Sequence, residues 1–175
     1  AFKDVALSML PRLMTESRKM LNKTKYTVIL TATSGDTGKA ALEGFHDVEG
    51  IKIIVFYPDG GVSAVQKAQM VTQEGNNVCV CAIKGNFDDA QTGVKNAFAA
   101  FKESGNHTVE LSSANSINIG RLAPQVVYYF TAYASLVRKG EILAFEDTPY
   151  LERAEKIMQS KNVIVNIDMD LGDGC

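Results

Sequence analysis

The sequence contains no tryptophan, only two histidines and only three cysteines among its 175 residues. Because no cluster of histidines and cysteines occurs, no metal site is predicted. The cysteines (Cys79, Cys81 and Cys175) form no framework of spacings, which favours a reducing compartment and a cytoplasmic location. Cys79 and Cys81 lie two residues apart in an apolar run, so we expect small buried thiols on one face of a strand.

The sequence also lacks an excess of charge and any long apolar run. Its net charge of -2 provides no basic field for a nucleic acid. No apolar run approaches the roughly 20 residues of a membrane span, so no membrane partner is expected. The N-terminal AFKDVALSML has neither an initiating methionine nor a signal-peptide pattern, and we expect the chain to be a fragment. The sequence does not indicate an oligomeric state.

Short apolar runs alternate strictly with helical patterns along residues 1–139. The run at 51–58 is nearly continuous, which is typical of a strand covered on both faces. This order predicts an α/β fold, a parallel sheet with helices on both faces. In the first helix we expect Asp4 as the N-cap and Pro11 to kink the helix or delay its start. The predicted strands are 26–31, 51–57, 77–83 and 107–112, and the predicted helices are 5–21, 37–45, 63–74, 87–102 and 117–137.

The character of the sequence changes after Lys139. Gly140 ends the last predicted helix, the charged segment 148–160 is typical of a solvent-facing helix, and 162–170 alternates like a half-exposed strand. We therefore expect an α/β domain at 1–139 and a divergent tail at 140–175 that packs poorly against it.

The segment SGDTGKA (34–40) joins a predicted strand to a predicted helix. Backbone N–H groups at a helix N-terminus bind anions, and here we expect them to point into a cleft. The alternative is a tight turn in which Asp36 or Thr37 caps the helix. A nucleoside-triphosphate P-loop fits less well, because Ala40 stands where a hydroxyl must hold magnesium.

Two further segments carry candidate chemistry. Lys3, in AFKD, is either a surface lysine or an amine desolvated by Phe2 and Val5, which would suit it to covalent cofactor binding. In SSANSINIGRLAPQ (112–125) a polar run ends a strand and Arg121 follows on a helix. These side chains could converge on an anion. Alternatively, an Asn or Ser is a helix cap and Arg121 a surface cation.

These segments, together with FYPDGGVSAVQKAQMVTQEGNNVCV and KGNFDDAQTGVKN, resemble threonine synthase in the same order over residues 1–138. The resemblance implies the fold of the tryptophan synthase β-subunit group, which is pyridoxal-phosphate fold type II. It also implies a pyridoxal-phosphate-dependent lyase of threonine biosynthesis that converts O-phosphohomoserine and water to threonine and phosphate.

The resemblance assigns residues as well. Lys3 would bind the cofactor and transfer protons. The loop facing the cofactor ring and the substrate carboxylate would be formed by Ser34, Gly35, Asp36, Thr37 and Gly38. The substrate phosphate would be received by Ser113, Asn115, Ser116, Asn118 and Arg121. The segment KGNFDD only partly matches the family's cofactor-phosphate loop, so Gly85 and Asn86 are not given that role.

The segment 150–174 is weakly similar to the C-terminal part of ornithine acetyltransferase. Two other functions remain open from the sequence. One is a nucleotide- or phosphate-binding α/β module built on SGDTG, and the other is an inactive fragment.

Overall fold

The computed structural model describes residues 2–105 and 108–141. Strands and helices alternate along them as predicted. The predicted helix at 148–160 and strand at 162–170 lie outside the described residues. The described elements are α1 (Phe2–Met20), β1 (Tyr26–Ala32), α2 (Asp36–Phe45), β2 (Ile51–Pro58), α3 (Ala64–Val71), β3 (Val78–Ile83), α4 (Phe87–Ser104), β4 (Val109–Ser112) and α5 (Ile119–Arg138).

The four strands form one sheet in the order β3-β2-β1-β4, and every neighbouring pair is parallel. The register pairs Ile29 of β1 with Ile53 of β2 on one side and with Ser112 of β4 on the other. The predicted fold class is therefore confirmed. Because parallel strands all end at the same edge, the loops after the strands lie together at the C-terminal edge of the sheet.

Successive side chains along each strand point to opposite faces of the sheet, and each face has its own hydrophobic core. Ile29 and Ile53 pack with buried residues of α1, α2 and α3, among them Leu7 and Phe45. The intervening residues, such as Leu30, pack on the opposite face against residues of α4. Since both faces are covered by helices, the strands are apolar nearly throughout, which explains the continuous run at β2.

Helix α1 begins earlier than predicted. Because the helix already includes Phe2, Asp4 lies in its first turn, and its predicted role as N-cap is wrong. Pro11 does not delay the start of the helix but lies inside it, buried. Proline has no N–H to donate to the carbonyl of Leu7, one turn earlier. A Cβ on Gly44 of α2 would lie only 2.1 Å from that carbonyl oxygen, so α1 and α2 touch backbone to backbone here.

The loops before α3 and α4 are ordinary helix caps. Ser63 caps α3 in a capping box with Gln66. Asn86 caps α4 in the same way with Asp89, and Gly85 adopts a φ of 140° before it. The KGNFDD segment is thus accounted for by the start of α4.

The prediction that both strand cysteines are buried is wrong. Cys79 is exposed and Cys81 is only partly buried. The reason lies in the sheet order, because among the described strands β3 lies at the edge of the sheet and pairs only with β2.

The chain divides into two compact units, Ala1–Pro124 and Gln125–Cys175. The first contains the whole sheet and α1 to α4. In the second, the described residues form the rest of α5, which ends at Arg138 and is followed by a turn through Gly140. The proposed division at residues 139 and 140 stays a prediction. Within the described part of the chain, no helix is both long and apolar enough to span a membrane.

Candidate functional site

A single buried side chain, Thr33, organises the loop between β1 and α2. Its Oγ1 accepts hydrogen bonds from the N–H of Gly35 (2.9 Å) and from the N–H of Gly38 (2.8 Å). The N-cap position is occupied by Gly35, with φ 134° and ψ -70° and no side-chain cap of its own. The alternative in which Asp36 or Thr37 caps the helix is therefore wrong, and sequence reasoning missed Thr33.

The same loop leaves other N–H groups at the start of α2. The amides of Gly35 and Gly38 are used by Thr33 and are not available to a ligand. Among the described residues, the amides of Ser34, Asp36 and Thr37 have no hydrogen-bond acceptor. Unpaired amides at a helix N-terminus, aligned with the helix dipole, favour a bound anion. Part of the predicted anion-binding loop is therefore available to a ligand.

Gln66 of α3 connects this loop to the loop after β2. Its Nε2 donates to Asp36 Oδ1 (3.0 Å), and its Oε1 accepts from the N–H of Ser63 (3.1 Å). Its amide also lies directly over Gly35, where an added Cβ would come within 2.4 Å of Gln66 Cδ. The glycine at this position is required by both its positive φ and the close approach of Gln66. Gln66 was not predicted, since only the capping pattern S-x-x-Q marks it in the sequence.

The polar run after β4 is held together by two asparagines. Asn115 Nδ2 donates to the carbonyl of Ala32 (2.9 Å), and its Oδ1 accepts from the N–H of the same residue (3.2 Å). Asn118 Nδ2 donates to the carbonyl of Ser113 (2.8 Å), and its Oδ1 accepts from the N–H of Gly120 (3.0 Å). Both amide groups therefore shape the loop, and Asn118 has the helix-capping role left open by the sequence.

Arg121 lies inside this run rather than on the surface. It is 3% exposed, and its Nη1 donates to the carbonyl of Ala114 (3.1 Å). The alternative of a surface cation is wrong. Ser113 is also buried, whereas Ser116 is partly exposed. The structure thus brings a guanidinium charge and two serines to the C-terminal edge of the sheet.

Helix α1 carries Lys3 toward the same edge. At the other end of the helix, Arg18 Nη1 donates to Thr27 Oγ1 (2.6 Å) at the beginning of β1. Lys3 precedes Arg18 by fifteen residues, about 22 Å along a helix axis, whereas β1 is about 20 Å long. Since the middle of α1 meets Gly120 through Leu10, its N-terminus points to the loops that follow the strands.

The surroundings of Lys3 differ from the expectation. Lys3 itself is partly buried. Its apolar neighbours Phe2 and Val5 are 54% and 45% exposed, so they do not desolvate the amine as predicted. The reason is that α1 turns Leu7 and Leu10 toward the core, and Phe2 and Val5 fall on the other side of the helix.

A groove of about 1050 Å³ is lined by residues of α1, α2 and α3. Its walls carry both signs of charge, including Asp4, Arg12, Lys39 and Glu43. None of the predicted site residues lines it. Among the described residues, no group of three or more His, Cys, Asp or Glu side chains could hold a metal ion.

Comparisons with known proteins agree with the resemblance seen in the sequence. No family model matches the chain. Human threonine synthase-like 1 is 41% identical over 151 residues, which cover 81% of this chain and 20% of that protein. Threonine synthase of Pseudomonas aeruginosa is 42% identical over 147 residues, which cover 83% of this chain and 30% of the enzyme. The crystal structure of pyridoxal-phosphate-bound threonine synthase from Brucella melitensis superposes with a TM-score of 0.65 and 44% identity, covering 78% of this chain and 28% of that one.

The fold is thus that of part of a pyridoxal-phosphate-bound α/β enzyme of known structure. Over the matched residues, the chain is a homologue of threonine synthase. It spans between a fifth and a third of the length of these relatives.

Proposed function

We propose that this chain forms the cofactor-lysine side of a pyridoxal-phosphate-dependent, threonine synthase-like lyase that acts on O-phosphohomoserine in the cytoplasm. The observation that carries the proposal is at the C-terminal edge of the sheet. Three amides without an acceptor, those of Ser34, Asp36 and Thr37, lie at the end of the sheet toward which α1 directs Lys3. The 42% identity to a threonine synthase over 147 residues supports the proposal.

The residues present fit the cofactor. Pyridoxal phosphate, when bound, acts as an electron sink that weakens bonds at the substrate's α-carbon. A primary amine is needed to attach it, and Lys3 is the proposed amine. A lysine released from the cofactor by substrate can then accept and return protons at the substrate carbons. The partly buried position of Lys3 limits its access to bulk water.

The start of α2 suits the substrate carboxylate. Ser34, Asp36 and Thr37 offer N–H groups, and the helix dipole adds a favourable field worth about 0.3–1 kcal/mol for one negative charge. Thr33 and Gln66 hold the loop in shape without contacting a ligand in this proposal. Gly35 and Gly38 permit that shape, and their amides are satisfied by Thr33.

The polar run after β4 is the proposed site for the substrate phosphate. Ser116 and the guanidinium of Arg121 supply a hydroxyl and a positive charge for a dianionic leaving group. Ser113 is buried beside them. Asn115 and Asn118 have a different role, since their amides are bonded to the backbone and keep the run folded against β1.

A segment exchange tests this function in a complete enzyme. Residues 1–138 would replace the corresponding segment of the Pseudomonas aeruginosa threonine synthase, which is 42% identical. The expected result is release of phosphate and threonine from O-phosphohomoserine, and its loss in the same hybrid with Lys3→Ala. A folded hybrid that binds pyridoxal phosphate but releases neither product would contradict the proposed reaction.

A second candidate function is a phosphate- or nucleotide-binding module, favoured by the same unpaired amides of α2. The two candidates differ in their dependence on Lys3. Binding of a fluorescent nucleotide that is unaffected by Lys3→Ala and is lost when inorganic phosphate is added would favour this second candidate. Lack of nucleotide binding, together with a lysine-dependent absorbance change on adding pyridoxal phosphate, would favour the lyase.

A further inference from the structure

The two cysteines of β3 form a close pair on one exposed part of the sheet. Their sulfur atoms are 3.8 Å apart, and neither is in a disulfide. Cys79 and Cys81 pair in register with Ile54 and Phe56 of β2, so both point to the face covered by α4. Because β3 is an edge strand, that face is open at Cys79.

The distance between the two sulfur atoms matches the distance between two sulfur ligands of one tetrahedral metal ion. Two sulfur ligands at about 2.3 Å from such an ion, with a tetrahedral angle between them, lie about 3.8 Å apart. The observed separation of the sulfur atoms is the same, 3.8 Å. A disulfide, in contrast, needs an S–S distance of about 2.05 Å, and its Cα atoms are at most about 6.8 Å apart. In an extended strand, residues i and i+2 are already near that limit, at about 6.6 Å, so a disulfide would bend β3.

We propose that Cys79 and Cys81 form a two-thiolate site for a tetrahedral, thiophilic divalent cation such as Zn²⁺ or Cd²⁺. The described residues supply two ligands, and water or small-molecule ligands complete the coordination. This follows because the described residues contain no group of three or more metal-binding side chains. The site is therefore open and exchangeable, in contrast to a closed four-ligand structural site.

Two features of the residues around Cys79 and Cys81 affect how the site would bind a metal ion. The side chains of Ile54 and Phe56 lie beside the two thiols on the same face, so one side of the ion is apolar. Burial, followed by the hydrogen bond with Cys79, raises the pKa of the Cys81 thiol. Metal binding must displace that proton, because the thiolate is the ligand.

This site is separate from the proposed lyase function. It lies on the α4 side of the sheet, whereas α1, which carries Lys3, packs on the opposite side. Loss of metal binding therefore does not imply loss of the lyase activity, and loss of the lyase activity does not imply loss of metal binding.

A cadmium titration of the whole chain tests the proposal. Cys175→Ser is used as the background so that only the two strand thiols remain, and a phosphine reductant keeps them reduced. The expected result is a thiolate-to-metal charge-transfer absorbance that saturates at one ion per chain. Cys79→Ser and Cys81→Ser should each weaken binding by about tenfold or more, because the chelate is lost.

A spacing control separates chelation from simple thiol reactivity. The combination of Val80→Cys with Cys81→Ser keeps two thiols but places them on opposite faces of the strand. It should bind as weakly as the single variants. The proposal would be overturned if this control bound Cd²⁺ as tightly as the Cys175→Ser chain. It would also be overturned if the Cys175→Ser chain showed no saturable charge-transfer absorbance. Protection of Cys79 and Cys81 from iodoacetamide by Cd²⁺, mapped by mass spectrometry in the unmodified chain, gives a check that needs no variant.

Discussion

The side chain of Asn115 mimics a neighbouring strand by bonding both backbone groups of Ala32. It donates to the carbonyl at 2.9 Å and accepts from the N–H at 3.2 Å. The loop after β4 is thereby joined to the last residue of β1, one residue before Thr33. The amide group of Asn115 thus connects the two proposed ligand-binding loops.

Replacing Asn115 tests how much its side-chain amide contributes to the stability of the fold. Asn115→Ala removes three partly buried hydrogen bonds, two to the backbone of Ala32 and one from the hydroxyl of Ser113. We expect it to lower the free energy of unfolding by about 1–3 kcal/mol. Urea unfolding followed by circular dichroism measures the change. Asn96→Ala, at an exposed position in α4, is the matched control and should change stability by less than about 0.5 kcal/mol. Equal effects in the two variants would show that the Asn115 bonds contribute nothing.

Thr33→Val tests the organisation of the loop before α2. Valine keeps the shape of threonine but removes the Oγ1 that accepts from Gly35 and Gly38. We expect a loss of roughly 2–4 kcal/mol, because two buried N–H groups lose their acceptor. Thr33→Ser retains the oxygen and should lose less, as measured by the midpoint of thermal unfolding. A valine variant as stable as the serine variant would refute the role given to Oγ1.

A pair of glycine substitutions tests the contact between α1 and α2. At Gly44 a Cβ would meet the carbonyl oxygen of Leu7 at 2.1 Å, so Gly44→Ala must push the helices apart. We expect a loss of about 1–3 kcal/mol. Gly93 in α4 has nothing within 4 Å of an added Cβ, so Gly93→Ala should stabilise the chain by about 0.5–1 kcal/mol. Destabilisation by both substitutions, or by neither, would contradict this packing.

Gln66 offers a test that bears on the proposed function. Gln66→Met keeps the length of the side chain but removes both the bond to Asp36 and the bond accepted from the Ser63 N–H. Of these, the bond to Asp36 holds the loop before α2, and its loss of roughly 1 kcal/mol should weaken binding of pyridoxal phosphate by up to about tenfold. Gln69→Ala, on the exposed part of the same helix, should leave binding unchanged. Unchanged affinity in the methionine variant would show that Gln66 does not position the loop.

The sheet could be predicted from the sequence because its two central strands are apolar on both faces. The four strands predicted within the described residues were found, because runs such as 51–58 are typical of strands covered by helices on both faces. The error at Cys79 arose from the order of the strands. Nothing local to β3 distinguishes an edge strand from a central one.

The site was predictable only in part. The glycines of SGDTG marked a strand-to-helix turn, but the contact of Gln66 with Asp36 joins residues thirty positions apart. Local patterns cannot reveal such a contact. The hydrogen bonds of Thr33 were missed for another reason, because the residue lies two positions before the N-cap Gly35, outside the usual capping pattern. Arg121 was expected to bind a substrate phosphate, and the sequence did not indicate its burial beside the carbonyl of Ala114.

The central claim is that Lys3 is the amine that binds pyridoxal phosphate. The most direct measurement is to incubate the chain with pyridoxal phosphate, reduce the adduct with borohydride and map the labelled lysine by mass spectrometry. We expect the label on Lys3. We also expect Lys3→Ala to abolish the absorbance change that accompanies cofactor binding. Lys39→Ala, which alters the lysine beside the α2 loop, should retain it. A label on Lys39 or another lysine, with Lys3 unmodified, would contradict the claim.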